Sequence, residues 1–338
     1  MKNIHQKNMS NMLFTRNGHN MFDISSLIQK ALRRGDMEFA CYAAHEMMWK
    51  YRPYLWTRLF ITSAEDCYDP VSGRILYLRK KDMEVKDTQD TRYLSEAVNL
   101  LVRTRKNRDA DFFACNYVCS KDKRDFPMGT TQLVTRHGHD LREMTIALKK
   151  AVFNLDDENV GYICCEIWCW YKRLFWVVAK DIAKELGSGL LVREIKALME
   201  IDMTMNAKNS TWIYMCKAIV LFFHCVEVGS CDIFSYPDMS VIYDVMKFST
   251  PRNLPEYTYD FHTRKGKAMG KTPADFRISE QVSLNPHIPG LYDDRKWENS
   301  IKWNAEGRDE DYNTPKLPKK TLEEVNNGMF PSSLFDLI

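Results

Sequence analysis

The chain has 338 residues and a formal net charge of +3, from 48 Lys and Arg against 45 Asp and Glu. This near balance excludes recruitment of a polyanion by bulk charge, so any basic contact must be local. Eight Trp, 16 Tyr and 17 Phe supply enough ring area for a core that needs no disulfide staples.

Residues 1–20 read as a polar N-terminal arm. They contain no apolar stretch of the kind a secretion signal requires, so a cytoplasmic location is expected, with the ten cysteines reduced. No CxxC pair occurs, and neither Cys115/Cys119 nor Cys165/Cys169 has a His at ligand spacing, so no metal site is expected. Leu174–Ala179 and Ala218–Val228 are the most apolar stretches, and both are too short to span a bilayer.

Residues 21–119 read as a first helical module. Ser26 with Gln29 has the spacing of a capping box, and Gly35-Asp36 breaks the pattern before a second helix. At the end of the module Arg103, Arg105, Lys106 and Arg108 form a positive cluster. Such a run suits a solvated helix end, and contact with DNA is the functional alternative. Residues 120–136 are polar and include Lys121, Lys123, Arg124, Pro127 and Gly129, the composition of a linker.

Residues 137–250 read as a second module. Asp140 serves as an N-cap, which explains His137-Gly138-His139-Asp140 without a metal. Val160, Ile163, Cys164, Ile167, Trp168 and Tyr171 follow the spacing of one helix face. Their counterparts 120 residues earlier are Ala40, Ala43, Ala44, Met47, Met48 and Tyr51, all able to be buried. Identities at the same offset include Lys30/Lys150, Ala31/Ala151, Asp36/Asp156, Tyr42/Tyr162, Glu46/Glu166, Trp56/Trp176 and Glu65/Glu185, with no gap between Lys30 and Glu65. The expectation is an all-α chain of two tandem modules related by an internal repeat. Glu46 and Glu166, on otherwise apolar helices, are expected to pair with charges across the repeat interface.

Residues 251–338 hold eight of the twelve prolines and read as an extended basic, Pro-rich tail. Gly266-Lys267-Ala268-Met269-Gly270-Lys271-Thr272 has three residues between its glycines, where a phosphate loop needs four. A degenerate nucleotide-binding enzyme using this loop is therefore one alternative reading of the chain, and a purely structural helical scaffold is another. The favoured one is a basic surface in which Arg264, Lys265, Lys267 and Lys271 contact phosphates. The last residues place Leu334, Phe335, Leu337 and Ile338 on a polar tether, an arrangement suited to docking in an apolar groove.

The first module resembles the C-terminal helical domain of the MgsA/RarA/WRNIP-type AAA+ ATPases, relatives of the clamp loaders. The resemblance rests on Phe39-Ala40-Cys41-Tyr42-Ala43-Ala44-His45-Glu46-Met47-Met48, then Leu55-Trp56-Thr57-Arg58-Leu59, Ser63-Ala64-Glu65-Asp66 and Asp69-Pro70. Arg105-Lys106-Asn107 stands imperfectly where the family carries a Lys-Ser-Asn loop. The similarity covers about residues 27–119, with a degenerate echo in 145–247, and the family's ATPase module is absent. What the resemblance implies is assembly and docking rather than catalysis. The terminal Pro331-Ser332-Ser333-Leu334-Phe335-Asp336-Leu337-Ile338 resembles the sliding-clamp-binding tails of phage replicative polymerases. Together these give the expectation of a non-catalytic, phage-type replication or recombination accessory protein without cofactor. Its expected partners are a sliding clamp or other replication protein, DNA and further copies of itself, with no membrane contact.

Overall fold

The computed structural model describes residues 13–85, 87–118, 127–129, 134–135, 137–204 and 212–292. The fold is all-α, and pairing among the described residues is limited to isolated bridges. In chain order the helices are α1 (Met21–Arg33), α2 (Met37–Met48), α3 (Arg52–Glu65), α4 (Ser72–Glu84), α5 (Arg92–Arg103) and α6 (Asp109–Asn116). They continue as α7 (Leu141–Phe153), α8 (Asp157–Glu185), α9 (Gly189–Thr204), α10 (Ile213–Val228), α11 (Arg264–Ala268) and α12 (Pro273–Val282). None is long and apolar enough to cross a membrane.

Local chemistry sets the helix starts. Asn20 Oδ1 accepts from Phe22 N and begins α1. The expected capping box at Ser26 is therefore displaced: Ser26 lies inside α1, and its hydroxyl donates to the Thr258 carbonyl at 2.6 Å. Asp140 caps α7 through Arg142 N and Glu143 N, as expected. Asp36 and Asp156 cap α2 and α8 in the same way, each accepting three residues on at 3.1 Å. The residue before each cap has a positive φ, 66° at Gly35 and 53° at Leu155. Glycine takes that conformation freely, whereas leucine is strained in it.

Positions 120 apart do matching work in the two halves. Trp56 Nε1 donates to Asp82 Oδ2 at 2.8 Å, and Trp176 Nε1 to Asp202 Oδ2 at 2.9 Å. Each carboxylate also pairs with a cation, Arg52 in one case and Lys172 in the other. The break between α2 and α3 at Tyr51 corresponds to a non-helical Tyr171 (φ −137°, ψ 54°) within α8. The match also extends further toward the N-terminus than expected. Thr15-Arg16-Asn17-Gly18-His19 and Thr135-Arg136-His137-Gly138-His139 share four of five residues. In both, residue 15 or 135 bonds through its N–H to the His carbonyl, and the His ring meets Tyr42 or Tyr162. The arm and the linker thus each end in a structured turn.

These turns correct the expectation for the two glutamates. Glu46 accepts from Thr15 Oγ1, Asn17 N and Asn17 Nδ2 at 2.6–3.0 Å, and Glu166 meets His137 Nδ1 at 2.9 Å. Neither makes its pair across the halves. One contact between the halves is made by α4 and α9, where Glu194 accepts from Ser72 N and Gly73 N and Lys80 pairs with Glu200.

Helix α10 is apolar around its whole circumference and is buried from Ile213 to Cys225, the pattern of a central helix. Its one lysine, Lys217, donates to the Cys67 and Tyr68 carbonyls. Helix α10 packs on α3, α6, α7, α8 and α9, joining the two halves in one core.

The segment after residue 250 departs from the expected extended tail in its described part. Thr272 and Asp275 cap each other reciprocally and start α12. Asn285 N bonds to Arg33 O, Lys106 N to Pro286 O, and Leu291 N to Asp109 Oδ2. Residues 251–292 therefore form a strap that adds Ile278, Leu284 and Tyr292 to the buried apolar residues. Residues 293–338, including the docking residues Leu334, Phe335, Leu337 and Ile338, lie outside the described residues.

Candidate nucleic-acid interface

The basic loop lies on this strap. Thr263 Oγ1 accepts from Gly266 N at 3.0 Å and starts α11. Gly266 packs against the Asp260 backbone so tightly that a Cβ there would collide with the Asp260 carbonyl. Gly270, with a φ of 76°, then turns the chain toward the Thr272 cap of α12.

This geometry bears on the phosphate-loop alternative. Lys267 N bonds to Thr263 O, Met269 N to Lys265 O and Lys271 N to Gly266 O, at 2.9–3.0 Å. Amides that close helical turns are not free to wrap a phosphate. What the loop presents to solvent is its side chains. Arg264, Lys265 and Lys267 are exposed, and none pairs with a carboxylate among the described residues. Lys265 Nζ sits 4.0 Å from the centre of the Tyr259 ring. Lys271 departs from the expectation: it is half-buried and pairs with Glu256 at 2.9 Å.

The second expected cluster is corrected more extensively. Lys106 is fully buried, and its ammonium donates to the Leu101, Val102 and Thr104 carbonyls at the end of α5. Burial pulls its pKa below the ordinary lysine value. Arg108 pairs with Asp66 at 2.7 Å and Asp111 at 2.6 Å. Burial alone would lower its pKa, but the carboxylates Asp111, Asp66 and Glu65 raise it. Arg105 grips Asp69 and donates to the Ile233 carbonyl. Arg103 donates to the Asp238 carbonyl at 3.2 Å and lies over the Tyr243 ring. Arg103, Arg105 and Arg108 hold loops and the strap to the helical body and Lys106 closes the end of α5, so the four do not form the solvent-facing cluster expected.

Asp66, fully buried, joins the network to the strap. Arg33 grips it with two bonds of 2.9 and 3.0 Å, and Glu280 of α12 closes on Arg33 from the other side. Beside this network a cavity of about 400 Å³ opens between α1, residues 256–260 and α12. Sequence reasoning missed it. Its walls include Tyr257, Tyr259 and Phe276, and Lys30 pairs with Asp260 inside it at 2.7 Å. Burial lowers the Lys30 pKa to about 8. Burial works to raise the Asp260 carboxyl, but hydrogen bonds from His262 and Lys30 hold it below the usual carboxylate range. The available signal was the run of aromatics at Tyr257, Tyr259 and Phe261 just before the basic loop.

Among the described residues no three His, Cys, Asp or Glu side chains converge as a metal-ligand set, and the described cysteines are free thiols. No protein-family model matches the chain, and comparison with curated proteins and with solved structures finds no match.

Proposed function

We propose that the chain is a non-catalytic accessory protein of DNA replication or recombination that holds nucleic acid against α11. The observation that carries this reading is the contrast between the two basic clusters. Arg105, Lys106 and Arg108 are neutralised or solvated by protein groups, whereas Arg264, Lys265 and Lys267 are presented to solvent. Three exposed cations within four residues, none paired with a carboxylate among the described residues, suit contact with phosphates. The decisive experiment is DNA binding across a salt series, with the three cations neutralised together.

The helical body is, in this proposal, two copies of one unit. Support comes from paired features that chance does not place at one offset: the Trp–Asp bonds, the Asp caps, the positive-φ residues, the Thr-Arg-x-Gly-His turns and the break at Tyr51 and Tyr171. The duplicated body supplies an assembly and docking surface, the role implied by the resemblance to the MgsA/RarA/WRNIP-type helical domain. The terminal Leu334, Phe335, Leu337 and Ile338 tether the protein to a sliding clamp. A pull-down with clamp, using the Leu334→Ala/Phe335→Ala variant as control, tests that part.

A further inference from the structure

We propose that the cavity between α1, residues 256–260 and α12 receives one unpaired nucleobase of a single-stranded DNA whose phosphates lie on α11. This rests on the reading of α11 given above and adds a substrate class to it. The cavity has about 400 Å³, within the range of small-ligand clefts. It shares a wall with α11: Tyr259, which lines it, carries the Lys265 ammonium 4.0 Å from its ring centre. A strand whose backbone meets Lys265 is therefore one side chain away from the opening.

The lining separates base from phosphate. Glu256, Asp260, Asp275 and Glu280 line the cavity with Lys30 and Lys271, and Arg33 stands behind Glu280. Both lysines are already paired, with Asp260 and Glu256 respectively. A phosphate entering the cavity meets carboxylates and lysines already held by them, so the anionic part of the ligand stays outside on Arg264, Lys265 and Lys267. A neutral heterocycle has no such penalty. Its flat faces meet the aromatic walls, and an exocyclic amino group finds carboxylate acceptors. Thymine, which lacks that amino group, is the poorest fit among the four bases.

The experiment titrates the full-length protein with fluorescent 12-mers of equal phosphate count: oligo(dC), oligo(dT) and a fully abasic strand. Oligo(dC) is expected to bind about ten-fold more tightly than the abasic strand, the contribution of one stacked base. Oligo(dT) should fall between them, and all three should share one salt dependence. Ser279→Phe, which fills the cavity, and Phe276→Ala, which removes a wall, should each bring oligo(dC) down to the abasic level. Circular dichroism and the melting point check that both variants remain folded. Equal affinity for base-bearing and abasic strands overturns the proposal while leaving α11 as the phosphate contact. Preference retained in both variants also overturns it. If free dCMP competes as well as the strand, the cavity takes a free nucleotide and the strand assignment is wrong. No binding of any strand at low salt removes the reading of α11 as well.

Discussion

The indole of Trp176 donates to Asp202 Oδ2 at 2.9 Å, and the same carboxylate receives Lys172 at 2.6 Å. One arrangement of this kind, built from Trp56, Asp82 and Arg52, stands 120 residues earlier. Both indoles are at most 2 % exposed. Truncating either to Ala should cost about 3–5 kcal/mol in denaturant unfolding. Trp→Phe keeps most of the volume but removes the bond to a charged acceptor, which alone is expected to cost about 1.5–3 kcal/mol. A loss at Trp56 with none at Trp176 would contradict equivalent roles.

Leu155 holds a φ of 53° where the matching position is Gly35. Leu155→Gly should relieve the strain and stabilise the protein by about 1 kcal/mol, because the left-handed conformation disfavours a Cβ. The reverse change, Gly35→Leu, should destabilise, since a Cβ there also meets the Asn285 side chain at 2.8 Å. Thermal unfolding of the two variants gives the signs directly.

Arg108→Ala takes from Asp111 its 2.6 Å partner and leaves Asp66 to Arg33 alone, and should cost about 3–5 kcal/mol. Its effect on DNA binding, measured where the variant is still folded, should be negligible. A large loss of DNA affinity at unchanged stability would return Arg108 to the nucleic-acid surface.

Asp260 ties the strap to α1 through Lys30, and its folded pKa lies below the ordinary 3.8. A carboxylate depressed on folding contributes stability that is complete above the unfolded value and lost as pH falls through the folded one. Hydrogen-exchange protection of α12 should therefore weaken as pH drops from about 5 toward 2. Asp260→Asn should lower protection at pH 5 and flatten this acid limb. An acid limb unchanged by the substitution would show that other carboxylates control the strap.

The helical body was legible because its signals are local. The spacing of Val160 to Tyr171 states a helix face, and Trp56 and Trp176 are large enough to identify core positions. The strap was misread because proline density dominated the reading of residues 251–292, although Thr272-Pro273-Ala274-Asp275 is a helix start. The matching turns at Thr15 and Thr135 were hidden in stretches that looked merely polar. At Lys106 and Arg108 the limit was physical. Lys106 is answered by backbone carbonyls, which leave no residue-type signal, and Arg108 by Asp66, distant in sequence, as well as by Asp111 three residues on. The cavity shares that limit, since Lys30 and Asp260 meet only once the strap has folded back.

The most direct test of the central claim is the affinity for single-stranded DNA as a function of salt, compared between the native protein and the Arg264→Gln/Lys265→Gln/Lys267→Gln variant. Measurable binding is expected at low salt, with a slope of log K against log salt shallower by about 2 in the variant, three phosphate contacts at roughly 0.7 each. Binding that keeps the native slope after all three charges are removed, or no binding at low salt, would contradict it.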